Sequence, residues 1–127
     1  MKNCDILVIA NLNMDLIFEQ KNSQQTSRKR YAESFTLSPG GNGYNEAVAA
    51  ARMGVTVSLA GMIGNDSFGA QLKASLSEEI TDSQLVRVVP GSSGLSLILS
   101  SAGQENIYWD IVGANACLDE EYIRSLE

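Results

Sequence analysis

Gly40-Gly41-Asn42-Gly43-Tyr44-Asn45-Glu46-Ala47-Val48-Ala49-Ala50-Ala51-Arg52-Met53-Gly54 is a glycine turn feeding an alanine-rich segment. With Ser38-Pro39 ahead of them, the glycines break regular structure. A helix is expected just after: Asn42 or Gly43 can cap it, Glu46 suits its positive first turn, Ala47–Ala51 propagate it, and Gly54 supplies a left-handed stop. The alanines offer a smooth face that can lie close against a sheet. Gly40, Gly41 and Gly43 let backbone approach a ligand and take positive φ where a side chain would clash.

On the carboxyl side, Val55–Ala60 reads as a buried strand and Gly61-Met62-Ile63-Gly64-Asn65-Asp66 as the following turn. Asp66 is a good cap for a helix carrying Phe68, Leu72 and Leu76 as one apolar stripe. On the amino side, Ile6–Ala10 is a continuous apolar run, the pattern of a strand covered on both faces. Asn11-Leu12-Asn13-Met14-Asp15 follows at its carboxyl end, where ligands of open α/β sheets gather. Strand, helix, strand, helix makes an α/β unit with a right-handed crossover. Leu16–Phe18 continues as a second strand before a polar loop over 20–30, and Tyr31–Leu37 alternates loosely. Farther on, Leu85–Val89, Leu95–Leu99 and Ile107–Val112 read as strands, the last two as a hairpin across Ser101–Gln104, and Asp119-Glu120-Glu121 opens a helix. Ending there, after two or three strands of a central sheet, the chain reads as a truncated unit, natural or man-made.

The 127 residues suit one domain. Nine basic against 15 acidic residues leave a net charge of -6, which speaks against nucleic acid or anionic membrane as partner. The one basic cluster, Arg28-Lys29-Arg30, reads as a solvated loop. No apolar run approaches the roughly 20 residues that span a bilayer, and Asp5 and Asp15 flank a run too short for a secretory signal. Two cysteines, Cys4 and Cys117, give no disulfide framework and point to a reducing cytoplasm. The chain has no histidine, so a histidine base or histidine metal ligands are excluded. Gly41-Asn42-Gly43 lacks the third glycine of a dinucleotide fingerprint, and no Gly-x-x-x-x-Gly-Lys-Ser/Thr loop occurs.

The diglycine turn, the Asn on the first helical turn, the alanine-rich helix ending in glycine, and Gly61-x-x-Gly64-x-Asp66-x-x-Gly69 together resemble the first signature of the ribokinase-like (PfkB) carbohydrate kinases. Asn11–Asp15 is similar to that family's amino-terminal motif, and Gly113-Ala114-Asn115-Ala116 to a segment following its lid strands. The resemblance covers nearly the whole chain and implies a partial ribokinase-like α/β fold, with a central, mostly parallel sheet flanked by helices and a small β lid over about 16–37 and 95–112. It implies that residues 1–127 are the amino-terminal, sugar-binding portion, without the carboxyl-terminal half that holds the ATP site and the Gly-x-Gly-Asp catalytic segment. The intact enzyme would use ATP and Mg²⁺ to phosphorylate a sugar or nucleoside hydroxyl, its base beyond residue 127. This chain alone would bind neither cofactor and be inactive.

A sugar presents hydroxyls that both donate and accept, so a specific site needs fixed carboxylates, amides and backbone groups. Asn13, Asp15, Gly40, Gly41, Asn42 and Asn45 are the candidate substrate-binding residues; the resemblance assigns sugar hydroxyls to Asp15 and Asn45. Asn115 is open between local turn bonding and site support. Asn42, where true ribokinases usually carry Lys, and Tyr44, where a small residue is usual, keep the acceptor open. A homodimer through the lid strands, whose apolar face would hold Tyr108, Trp109 and Ile111, is a further expectation. The rival reading is a noncatalytic module that binds a sugar or dimerises.

Overall fold

The computed structural model describes residues 3–21 and 28–126. Part of the polar loop expected over 20–30 lies outside them. In chain order the elements are β1 (Ile6–Ile9), β2 (Asn13–Gln20), β3 (Ser34–Gly40), α1 (Asn42–Arg52), β4 (Val57–Gly64), α2 (Ser67–Glu79), β5 (Asp82–Val89), β6 (Gly94–Ser101), β7 (Ile107–Ile111), a 3₁₀ turn (Gly113–Cys117) and α3 (Glu120–Arg124). No described helix is long and apolar enough to cross a membrane.

The strands form two sheets. One is parallel, in the order β1-β4-β5; the other has the order β3-β2-β6-β7, with β2 parallel to β6 and the outer pairs antiparallel. Alternation along β4 feeds two cores. Val57, Leu59 and Ile63 pack with Leu72 and Leu76 of α2 and Ala47 and Val48 of α1, while Ala60 and Met62 face Ala114 and Tyr122 on the opposite side. Helices therefore cover both faces of the parallel sheet. The helices α1 and α2 are also tied together, by Tyr44 Oη to Ser75 Oγ at 2.7 Å and by the Arg52–Glu79 ion pair.

Several boundaries differ from the sequence reading, each for a physical reason. Ser38-Pro39-Gly40 does not break the chain: β3 runs through it, because β3 is an edge strand and the proline's missing N–H is no loss there. The cap of α1 is Gly41, at φ +102°, rather than Asn42 or Gly43, and Glu46 lies beyond the first turn. Gly40 and Gly43 do not have positive φ. Gly61-Met62-Ile63-Gly64 is strand, not turn; its glycines admit close backbone, from Ala10 at Gly61 and from the 91–93 segment at Gly64. The second strand starts at Asn13 rather than Leu16, since it is paired on both sides from there. Exposure is also redistributed. The strand β4 is buried throughout, but β1, expected to be covered on both faces, leaves Ile6, Leu7 and Ile9 at 36–43% exposure, because it pairs only with β4 among the described residues.

Asp66 is the cap expected for α2, and it does more. Its carboxylate accepts from the Gly69 N–H at 2.8 Å and from the Ser93 N–H and Oγ at 2.9 and 2.7 Å, tying the helix to the segment that enters β6. Burial pushes this carboxyl up, but the hydrogen bonds outweigh it and hold the group below its ordinary value of 3.8. A folded value below the unfolded one contributes stability above the unfolded value and loses it as pH falls through the folded one. Asp66→Ala is therefore expected to lower unfolding free energy by about 1 to 3 kcal/mol at neutral pH. Urea titrations should show the gap to wild type closing below pH 3.8; a constant gap would reject this role for the charge.

Candidate functional site

The carboxyl end of β1, the start of α1 and one face of the second sheet enclose a cleft of about 660 Å³, within the range of small-molecule sites. Val8, Ile9 and Ala10 line it from the end of β1, Gly41, Asn42, Gly43, Asn45 and Glu46 from the cap and start of α1, and Asn13, Asp15, Ser96, Ile98, Tyr108 and Asp110 from the second sheet. Strand periodicity creates that polar face. Register places Ser38, Asp15, Ser96 and Asp110 in one row across the four strands, and Thr36, Ile17, Ile98 and Tyr108 in the next. The opposite face carries the rows Leu37, Leu16, Leu97, Trp109 and Phe35, Phe18, Leu99, Ile107.

Five of the six residues singled out from sequence, Asn13, Asp15, Gly41, Asn42 and Asn45, come together at this cleft; Gly40 does not line it. A Cβ at Gly40 would overlap the Asp15 carboxylate, so Gly40 makes room for that side chain rather than meeting a ligand itself. Gly41 brings its backbone against the Asn11 carbonyl, where a Cβ would sit 2.5 Å from the oxygen. As the cap it offers no side-chain acceptor, so the first-turn N–H groups of α1 remain available at the cleft. Tyr44 points away into the core, where it is 6% exposed, and does not line the cleft.

Asn115 is buried and spans two elements. Its Oδ1 accepts from Leu12 N–H at 2.9 Å, and its Nδ2 donates to Leu12 C=O at 3.2 Å and to Asn13 Oδ1 at 2.8 Å. The last bond fixes the Asn13 amide with its nitrogen left to donate. Gly94 is needed beside it, since a Cβ there would overlap both amides. Asp15 is half-buried; burial lifts its carboxyl above the ordinary 3.8, and the charge of Asp110 lifts it further.

The sequence reading missed Ser96, Tyr108 and Asp110. It placed Tyr108 on the apolar face with Trp109 and Ile111, but alternation turns Tyr108 and Asp110 to the cleft. The available signal was a carboxylate in the middle of Ile107-Tyr108-Trp109-Asp110-Ile111, where a wholly lipophilic strand would have none. Among the described residues no group of three or more Asp, Glu, Cys or His side chains is placed to hold a metal ion.

Helices on both faces of a parallel sheet, with a second sheet covering the strand ends beside a glycine-led helix, define the ribokinase-like fold. The chain belongs to the pfkB family of carbohydrate kinases, whose pattern it matches over residues 3–126. It is 28% identical to a ribokinase of Haemophilus influenzae over 123 residues, 96% of this chain and 40% of that protein. The structure of ribokinase from Giardia lamblia superposes with a TM-score of 0.85 at 26% identity, covering 98% of this chain and 41% of that one. A Cryptococcus neoformans ribokinase in complex with ADP gives a TM-score of 0.74 at 29% identity, over 85% of this chain and 34% of that one. The chain thus spans about 40% of the length of the curated relatives it matches.

Proposed function

We propose that residues 1–127 are the acceptor-binding portion of a carbohydrate kinase that transfers the ATP γ-phosphoryl group to a sugar or nucleoside hydroxyl, with the second sheet as its lid. The observation that carries this is the convergence of Asn13, Asp15, Asn42 and Asn45 in one cleft of a pfkB-family chain. In this reading Asp15 and Asn45 hold acceptor hydroxyls, Asn13 donates its amide, and the start of α1 adds backbone donors. Positioning and exclusion of water are this portion's contribution, and both matter greatly in phosphoryl transfer. The chain spans about 40% of the length of its relatives, and in this reading ATP, Mg²⁺ and the catalytic base belong to the remainder of the enzyme. A cytoplasmic setting agrees with the unpaired Cys4 and Cys117.

A coupled ADP-release assay with ATP, Mg²⁺ and a panel of pentoses, hexoses and nucleosides tests the reading. Sugar-dependent turnover is expected from the whole protein and none from residues 1–127; turnover by the isolated portion would overturn the placement of the active site. The apolar face of the lid, with Phe35, Ile107, Trp109 and Ile111 each about half exposed, supports a homodimer through the lids. Sedimentation is expected to give a dimer at micromolar concentration that Trp109→Glu converts to monomer. A wild-type monomer would count against it.

A further inference from the structure

Resting on the reading of the cleft as the acceptor site, we propose that Ser96 is a specificity-determining residue of that site, taking a hydrogen bond from an acceptor hydroxyl, and that Asp110 is its positioning residue, fixing the direction in which Ser96 bonds.

A serine hydroxyl can donate or accept, so a free serine discriminates little between ligand groups, whereas a carboxylate only accepts. Ser96 Oγ donates to Asp110 Oδ1 at 2.5 Å, a length typical of a charge-assisted O–H···O⁻ bond. The single proton of Ser96 is thereby committed to the neighbouring strand, and what the serine shows the cleft is lone pairs. Its setting makes that matter. Ser96 is buried, is the register partner of Asp15 on one side and of Asp110 on the other, and lines the same cleft as both. An acceptor held by Asp15 therefore lies beside Ser96.

At Asn13 the direction is fixed the other way. Leu12 N–H can only donate, which turns Asn115 Oδ1 toward it; Asn115 Nδ2 then meets Asn13 Oδ1 and leaves the Asn13 amide nitrogen to donate. The cleft thus has a hydrogen-bond polarity set by groups outside it: Asn13 donates, Ser96 accepts. A hydroxyl satisfies either residue. A fluorine or an ether oxygen, which has no proton to give, is tolerated at Asn13 and repelled at Ser96, where two sets of lone pairs would face each other. Asp110 needs no contact with the acceptor for this role, since it acts by holding the Ser96 proton.

The test titrates the whole protein by calorimetry with ribose, fructose, glucose and adenosine, and with forms of each in which one sugar hydroxyl is replaced by hydrogen or by fluorine. At one position of the acceptor that binds, the hydroxyl is expected to be preferred over fluorine by about tenfold or more, and Ser96→Ala to bring that ratio toward one. Asp110→Asn lets the serine proton turn to the cleft, so the same ratio is expected to fall at least about threefold. A packing role would weaken the parent, deoxy and fluoro forms alike and leave the ratio where it was. A ratio that Ser96→Ala moves at no position overturns the role of Ser96, and one that Ser96→Ala moves but Asp110→Asn does not overturns that of Asp110. Asp15→Ala separates the two levels. If it weakens the parent while Ser96→Ala moves no ratio, only this inference fails; if it weakens no parent, the acceptor-site reading fails and takes this inference with it.

Discussion

Asp15→Ala in the whole protein is expected to weaken acceptor binding by about 2 to 4 kcal/mol, roughly thirty- to a thousandfold, while leaving the fold intact. A carboxylate accepting from acceptor hydroxyls makes charge-assisted bonds worth about 1.5 to 3 kcal/mol each. The stability sign runs the other way. The Asp15 carboxyl is raised by burial and by Asp110, so its folded value lies above the ordinary 3.8 and the ionised form disfavours folding. That penalty is present above the folded pKa and disappears below 3.8. Asp15→Asn should accordingly keep or raise the unfolding midpoint at neutral pH while losing affinity, and wild-type affinity should fall as pH drops through the raised value. Calorimetry and thermal unfolding on the same preparations check both; unchanged affinity in the alanine variant rejects the role.

Asn115→Ala is expected to be the most damaging single change near the cleft. It strips partners from the buried Leu12 N–H and C=O and frees the Asn13 amide, at a cost of about 2 to 4 kcal/mol in stability. Asn115→Asp separates the fold from the site. The carboxylate can still accept from Leu12 N–H, but it faces two oxygens, Leu12 C=O and Asn13 Oδ1, that the amide had satisfied. Partial stability with acceptor binding reduced about tenfold is expected, through misorientation of Asn13. An aspartate variant that matches wild type in both would show that the amide has no positioning role.

Local chemistry made much of the molecule legible in the sequence. Asp66 capping α2, Gly54 after α1 and the Leu72–Leu76 stripe are contacts within a few residues, and the sequence contains both partners. What was not legible depends on sheet order. That Pro39 is tolerated in a strand follows from β3 being an edge, and that Asp110 shares a row with Asp15 follows from β6 lying between β2 and β7. Neither is written in any local pattern. Asn115 was left undecided for the same reason, since its partners lie 102 and 103 residues away.

The second sheet separates its tasks by parity. Along β6 and β7, positions 96, 98, 108 and 110 meet the cleft, while 95, 97, 99, 107, 109 and 111 point to the opposite face. Substitutions at the first set can therefore drift, retuning which acceptor is taken, without disturbing whatever the apolar side packs against. An indel is another matter. One residue inserted early in β7 would turn Trp109 into the cleft and Asp110 onto the apolar face, damaging both at once. Divergence of acceptor preference in a chain built this way is expected to proceed by replacement at alternate positions, with changes of strand length confined to the turn around Gly103.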